Sequence, residues 1–226
     1  MQVLAIDTAL SSCSVAIFNS EHDNHVSQVQ SMQRGQAEHL VPLIIESMDK
    51  AGVTFEDLDL IAVTTGPGAF TGVRVGIATA QGFGVALDKP VIGVTTIDVF
   101  KETFFKKEKL ENTHKLAVVI ESKRDDFYFA AFDHNGDSYI DPCTANPQQI
   151  AEMLHEQDVV YIGDGVSRLR DASSEIDTEL PDPTLLAEIA IQRYQSSVHT
   201  ALEPVYLRDA DVSSPKKQPR VLLEEK

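Results

Sequence analysis

The chain has 226 residues, of which 42% are hydrophobic and 24% charged, an ordinary globular composition with enough length for one large core or two small ones. Its 35 acidic against 19 basic residues give a net charge of -16, a field that repels phosphate backbones and argues against nucleic-acid binding by the chain alone. Two cysteines, Cys13 and Cys143, are too few for a disulfide framework or a cysteine zinc site; with no signal-type start and no apolar run of membrane length, a cytoplasmic protein is expected.

Residues 2–8 and 12–18 are apolar, β-rich runs around the turn Ala9-Leu10-Ser11 and read as a hairpin, with a third strand over 25–31. Over 36–51, Ala37, Leu40, Val41, Ile44, Ile45, Met48 and Ala51 recur at helical spacing and Gly52 supplies the stop. Pro42 is expected to bend that helix or to mark where it becomes regular. A buried strand follows at 58–65, a helix at 72–87 with Thr71 as its cap, and a fifth strand at 91–95 leading into an amphipathic piece to about residue 105. Beyond a charged linker at 106–112 the pattern restarts. Strands at 115–122, 126–132 and 138–143 echo the opening three, followed by a helix at 147–156, a strand at 159–162 and a helix at 184–196. The expectation is an α/β protein of two tandem βββαβα units, 1–106 and 107–212, the second shorter and degenerate, with a flexible tail at 213–226. A duplicated unit of this kind, opening on an Ile-Asp-Thr turn, is the RNase H/actin-like layout shared with sugar kinases and Hsp70-type ATPases, a fold-level analogy that carries no activity by itself.

The least ordinary stretch is Gly66-Pro67-Gly68-Ala69-Phe70-Thr71-Gly72-Val73-Arg74-Val75-Gly76. Strand, glycine turn and helix are the parts of a phosphate loop, yet no lysine follows Gly72 as a P-loop requires. The dinucleotide fingerprint fails too, because Thr71 stands where glycine is needed and Ala86 where an acid is needed. The helix instead carries two stripes of small residues at spacing four, Gly72, Gly76, Ala80, Gly84 and Ala78, Gly82, Ala86. Interior glycines cost about 1 kcal/mol each relative to alanine, so packing must offset them; one stripe is expected to meet the chain's own sheet and the other a partner helix. Arg74, a cation in the first turn, opposes the helix dipole and calls for an acidic neighbour, a partner contact or a bound anion.

Other chemistry is sparse. Asp7, Thr8 and Ser11, at the end of the first strand, are the weak candidates for a phosphate or nucleotide contact, with Gly163-Asp164-Gly165 as the second glycine loop such a site would need. His22-Asp23-Asn24-His25 reads as a solvated turn and His39 as a surface or interface residue, so no metal site is expected. Ser11, Ser12 and Thr71 have no identified base, and no catalytic residue is assigned.

LAIDT at Leu4, CSVAIF at Cys13, AEHLVPLI at Ala37, GPGAFTGVRVGIATAQGFG at Gly66, PVIGVTTID at Pro90 and PVYLRDADV at Pro204 together closely resemble the TsaB (YeaZ) family of bacterial tRNA threonylcarbamoyladenosine biosynthesis. The first half matches almost throughout, the second in its strand repeat and near its C-terminus; Ala69 stands where the family usually has serine. The resemblance implies a noncatalytic paralogue of TsaD. Thr96 and Phe100 occupy the positions of the His-x-x-x-His metal motif of TsaD, and phenylalanine cannot ligate a metal. It further implies pairing with TsaD through the two helices of the first unit, assistance from the ATPase TsaE, and transfer of threonylcarbamoyl to adenosine 37 of tRNA. A homodimer is implied for the chain alone, with no cofactor of its own, ATP or ADP met only in the complex, tRNA reached only through it and no membrane. On this basis the partner interface is expected at His39, Gly72, Arg74, Gly76, Ala80 and Gly84. The competing readings are an independent actin-like ATPase or kinase, and a metallopeptidase, which the missing metal motif disfavours.

Overall fold

The computed structural model describes residues 1–22, 25–155, 158–169, 180–197 and 202–208. The first half folds as β1 (Gln2–Asp7), β2 (Ser12–Asn19), β3 (Val26–Ser31), α1 (Gln36–Ala51), β4 (Leu60–Thr64), α2 (Phe70–Leu87), β5 (Val91–Val94) and α3 (Thr96–Lys107). The second gives β6 (His114–Glu121), β7 (Phe127–Phe132), β8 (Ser138–Ala145), α4 (Pro147–Leu154), β9 (Asp158–Ile162), the one-turn helix α5 (Val166–Leu169) and α6 (Pro183–Gln195). Two mixed sheets result, in the orders β3-β2-β1-β4-β5 and β8-β7-β6-β9. In each, the first strand pairs antiparallel with the second and parallel with the strand after the helix. The repeat read from the sequence is therefore a repeat of topology.

Local chemistry accounts for most boundaries. β1 is apolar without alternation because both faces of its sheet are covered, and Val3 to Ile6 are fully buried. Gly52 ends α1 in the left-handed conformation, at φ 68. Pro42 interrupts nothing: α1 is continuous through it, and the proline sits on the exposed side, where water can satisfy the carbonyl it leaves unpaired. Asn146 and Gln149 form a capping box around Pro147, and Asp182 caps α6 ahead of Pro183. Thr71 does not cap α2. The helix begins two residues earlier than expected, with Ala69 as an N-cap that makes no side-chain bond, because the turn is fixed instead by the Ala69 amide donating to the Ala9 carbonyl at 2.7 Å.

The first sheet is sandwiched. On one face, Leu4, Ile6, Val15 and Ile17 pack against Leu40, Ile44 and Met48 of α1 and Val73, Ile77 and Ala80 of α2. On the other, Val3, Ala5, Ala16, Leu60 and Ala62 pack against Leu185, Leu186, Ile189 and Ala190 of α6. The helix that the sequence counts with the second unit thus closes the core of the first sheet, because that face has no other helix to cover it. Leu10, Ile97 and Phe100 join the first half to Leu116, Val118 and Ile120 of β6. The tail assigned to 213–226 lies outside the described residues.

Candidate functional site

The glycine turn and α2 rest directly on the first hairpin. A Cβ on Gly68 would fall 2.2 Å from the Ala9 carbonyl oxygen, one on Gly72 2.0 Å from the Thr8 carbonyl oxygen, one on Gly76 2.6 Å from Thr8 Oγ1, and one on Gly84 2.4 Å from Val91 Cγ2. Ala80, in the same stripe, is fully buried. The stripe Gly72, Gly76, Ala80 and Gly84, expected at a partner surface, is the inward face of α2, used for close approach to β1 and β5 of the same chain. The reason was present in the sequence: large apolar Val73 and Ile77 share this arc, whereas Arg74 and Gln81 lie on the opposite one.

The same contact removes Asp7 and Thr8 from any ligand. Thr8 Oγ1 donates to the Gly72 carbonyl at 2.7 Å. Asp7 is fully buried; its Oδ1 accepts from the Ala9 amide at 2.9 Å and from Thr64 Oγ1 at 2.6 Å, while Oδ2 has no partner. Burial pushes the Asp7 carboxyl up from the ordinary carboxylate range, against the lowering effect of those two bonds. Burial, helped by the neighbouring Asp7, pushes the Cys13 thiol up to about 11, so it is not a nucleophile. Ser11 is half-buried, and its carbonyl accepts from the Met32 amide. In the second half, Gly163 and Gly165 press on Val119 and Ile120 as the first glycines press on Thr8 and Ala9. Both glycine turns are packing devices.

The outward face of α2 carries the other stripe. Ala78, Gly82 and Ala86 are exposed, Val85 is 86% exposed, and a Cβ on Gly82 would meet nothing within 4 Å. Beside it, on the same side of the sheet, α1 exposes Val41 and Ile45. His39 is exposed on α1, its Nδ1 3.0 Å from the Gly35 carbonyl. Arg74 is exposed at the start of α2, where its guanidinium lies 3.8 Å from the centre of the Phe70 ring and its Nε donates to the Tyr206 hydroxyl at 2.9 Å. Tyr206 belongs to a C-terminal segment that straps α2: Gln81 reaches the Leu202 carbonyl and the Val205 amide donates to the Thr65 carbonyl at 2.8 Å.

Between the halves lies a cleft of about 1040 Å³, lined by 33–36, the start of α2 from Gly68 to Arg74, residues 121–124, Tyr128 and 206–208. None of Asp7, Thr8 and Ser11 lines it. At its edge Arg208 pairs with Asp126; burial raises that carboxyl, but the Ser122 hydroxyl and Arg208 outweigh it and hold the pKa below the ordinary value. Asp164 is raised by burial. Thr96 is fully buried at the start of α3 and Phe100 is buried in the core between the halves. His25 packs 6.1 Å from the Phe18 ring, and Asp23 and Asn24 of the same turn lie outside the described residues. Among the described residues no three His, Cys, Asp or Glu side chains gather as a metal site, and no helix is long and apolar enough to cross a membrane.

Comparison with known proteins agrees with this architecture. A family model described as TsaD, tRNA N6-adenosine threonylcarbamoyltransferase, matches residues 27–213. The tRNA threonylcarbamoyladenosine biosynthesis protein TsaB of Escherichia coli K12 is 29% identical, with 92% of this chain and 95% of that protein covered; TsaB of Haemophilus influenzae is 27% identical, with 92% and 94% covered. A Pseudomonas aeruginosa protein solved by crystallography and described as similar to peptidase YeaZ superposes with a TM-score of 0.74 at 25% identity, over 92% of this chain and 99% of that one. YeaZ of the same organism has the same fold, with a TM-score of 0.72 at 24% identity over 91% and 99%. The chain belongs to the TsaD family of tRNA N6-adenosine threonylcarbamoyltransferases and, within it, to the TsaB (YeaZ) group.

Proposed function

We propose that this chain acts in the formation of threonylcarbamoyladenosine in tRNA as a noncatalytic partner of TsaD, assisted by TsaE, in the transfer of threonylcarbamoyl to adenosine 37. The observation that carries the reading is the outward face of α1 and α2. There Val41, Ile45 and Val85 stand exposed beside the small residues Ala78, Gly82 and Ala86, an apolar strip flat enough for another helix pair to approach closely. TsaD docks on this strip in the complex, and a second copy of the chain covers it when TsaD is absent. The interface proposed from the sequence is accordingly moved from Gly72, Gly76, Ala80 and Gly84 to the opposite side of α2, keeping Arg74 and His39 at its rim.

A noncatalytic role is supported by side-chain chemistry at the positions that correspond to the metal motif of TsaD. Thr96 is buried and Phe100 packs in the core with Ile97 and Leu116; neither can supply an imidazole. This also weighs against a metallopeptidase. An independent ATPase or kinase is disfavoured by Asp7 and Thr8, which are sealed beneath Gly68 and Gly72. The chain works in the cytoplasm and meets the anticodon loop through TsaD.

The test is the double substitution Ile45→Glu, Val85→Glu. Both side chains are exposed, so the far-UV spectrum, and the melting temperature measured at a dilution at which the wild type is also monomeric, stay as in the wild type. Copurification with TsaD, homodimer formation and the modified nucleoside in cellular tRNA all fall at least about tenfold, the change expected when two charges are buried in an apolar interface. Intact assembly with normal tRNA modification would refute the assignment.

A further inference from the structure

β3 is the terminal strand of the first sheet, and among the described residues no strand lies on its outer side. Its register with β2 runs from Ser12 opposite Ser31 to Ile17 opposite Val26 without a bulge. The Met32 amide donates to the Ser11 carbonyl at 3.0 Å, which puts Met32, and in alternation Gln30, Gln28 and Val26, in the pairs that exchange backbone bonds with β2. The amides and carbonyls of Ser27, Val29 and Ser31 therefore point along the open edge. Natural sheets blunt such an edge with charge, proline or a bulge. The terminal strand at the same place in the second sheet, β8, has all three: Asp141, Pro142 and two register shifts against β7. β3 has none of them. From Val26 to Gln33 the sequence carries no charge at all, in a chain whose net charge is -16, so this is a stretch on which two copies can meet without opposing like charges directly.

We propose that the open edge of β3 pairs antiparallel with β3 of a second copy of this chain, centred on Val29. The strand is a palindrome: Ser27-Gln28-Val29-Gln30-Ser31 reads the same in both directions, and Val26 and Met32 extend the match with one apolar residue at each end. Antiparallel pairing about a two-fold axis at Val29 sets Val29 against Val29, Gln28 against Gln30, Ser27 against Ser31 and Val26 against Met32, the self-complementary contact that a two-fold dimer requires. The backbone agrees with the side chains. Val29, Ser27 and Ser31 are the residues whose amides and carbonyls face outward, so the same three pairs exchange the inter-chain hydrogen bonds. Val26 packs into the α1 side of the core and Gln28 donates to the Ser47 hydroxyl of α1 at 2.7 Å, which leaves Val29 on the other face, 47% exposed; two such side chains directly opposite each other form an apolar cross-strand pair. A strand of 6 residues buries less than the roughly 1,200 Å² of a stable interface, so the contact is weak and fills only at high protein concentration. Val41, Ile45 and Val85 lie outside β3, and the contact is independent of the α1 and α2 strip.

Analytical ultracentrifugation of the full chain carrying Ile45→Glu and Val85→Glu, which removes association through the strip, tests it over about 5 to 500 μM. A monomer-dimer equilibrium is expected at the upper end of that range. Val29→Lys weakens it at least about tenfold by setting two like charges opposite each other, and Val29→Thr keeps it. Val29 is exposed, so at low concentration both variants melt as the parent does. Oxidation in a Cys143→Ser background, Cys13 being buried, reads the register. Val29→Cys cross-links to a second copy at least about tenfold faster than Gln28→Cys or Gln30→Cys, because only at the centre does a residue meet its own equivalent, with Cα atoms about 5.5 Å apart. A monomer at every concentration, association unchanged by Val29→Lys, or equal cross-linking of the three cysteine variants overturns the proposal. In an otherwise wild-type chain, Val29→Lys leaves TsaD copurification and tRNA modification intact; their loss would assign the edge to TsaD and overturn the second copy as its occupant.

Discussion

Folding takes the Asp7 carboxyl group out of water and satisfies only one of its oxygens: Ala9 and Thr64 both bond Oδ1, and Oδ2 has no partner. The pKa in the folded chain is raised by burial above its ordinary value, so the folded state prefers the protonated acid. The stability linked to that proton is complete below the ordinary carboxylate pKa of about 4 and is lost as pH rises through the raised value. Asp7→Asn removes the titration while keeping size and an Oδ1 acceptor. It is expected to raise the melting temperature at pH 7 to 8 by a few degrees, on the order of 1–3 kcal/mol, because it removes a buried charge, although its Nδ2 is left as unpaired as Oδ2 was; the gain shrinks as pH falls toward 4. Melts across that range check it, and a variant less stable than wild type at neutral pH would show that the ionised form is held by more than the Ala9 amide and the Thr64 hydroxyl. The position of Asp7 at the strand end was legible in the sequence. Its burial was not, because it depends on how closely residues some sixty positions later approach the turn that follows it.

At the scale of the element, α2 was legible as a helix with two small-residue faces, and the choice between those faces was what the stripes alone left open. The two faces predict opposite responses to the same substitution. Gly72→Ala pushes a methyl to within 2.0 Å of the Thr8 carbonyl, where backbone must move, and is expected to destabilise the chain by about 1–3 kcal/mol. Gly82→Ala has open space around it and gains helix propensity, about 1 kcal/mol of stabilisation. Chemical denaturation of the two variants gives a difference in sign; the same sign in both would mean that α2 is rotated from the orientation described. Boundaries followed the same logic. Asn146 with Gln149 and Asp182 cap their helices through local bonds that a sequence displays, whereas the start of α2 is set by a hydrogen bond to Ala9 in a distant hairpin.

For the whole molecule, the placement of α6 decides what can fold alone. Leu185, Leu186, Ile189 and Ile191 cover the face of the first sheet formed by Val3, Ala5, Ala16, Leu60 and Ala62. At roughly 1.5–3 kcal/mol for each large apolar side chain buried, those four account for about 6–12 kcal/mol, comparable to the entire net stability of an ordinary domain, about 5–15 kcal/mol. The fragment 1–106 is therefore expected to bind hydrophobic dyes and to lack a cooperative thermal transition. A cooperative melt of that fragment would show that the first sheet does not depend on α6. The strap from Leu202 to Arg208 adds a second tie across the molecule, touching α2 through Gln81 and Arg74 and the second half through Asp126.

The sequence by itself determined the order of elements, the repeated sheet topology and the family. Those rest on short-range periodicity, caps and turn residues, and on contiguous motifs such as the run from Gly66 to Gly84. The tertiary structure settled which α2 stripe faces inward, in line with the side on which Val73 and Ile77 stand, and it alone decided that α6 crosses to the first sheet and that Arg34, Lys123, Arg124 and Arg208 gather around one cleft. Each depends on which surfaces meet. An amphipathic helix records that it has a buried face without recording what buries it, and cations far apart in the chain acquire a common field only when folding brings them around the same concavity.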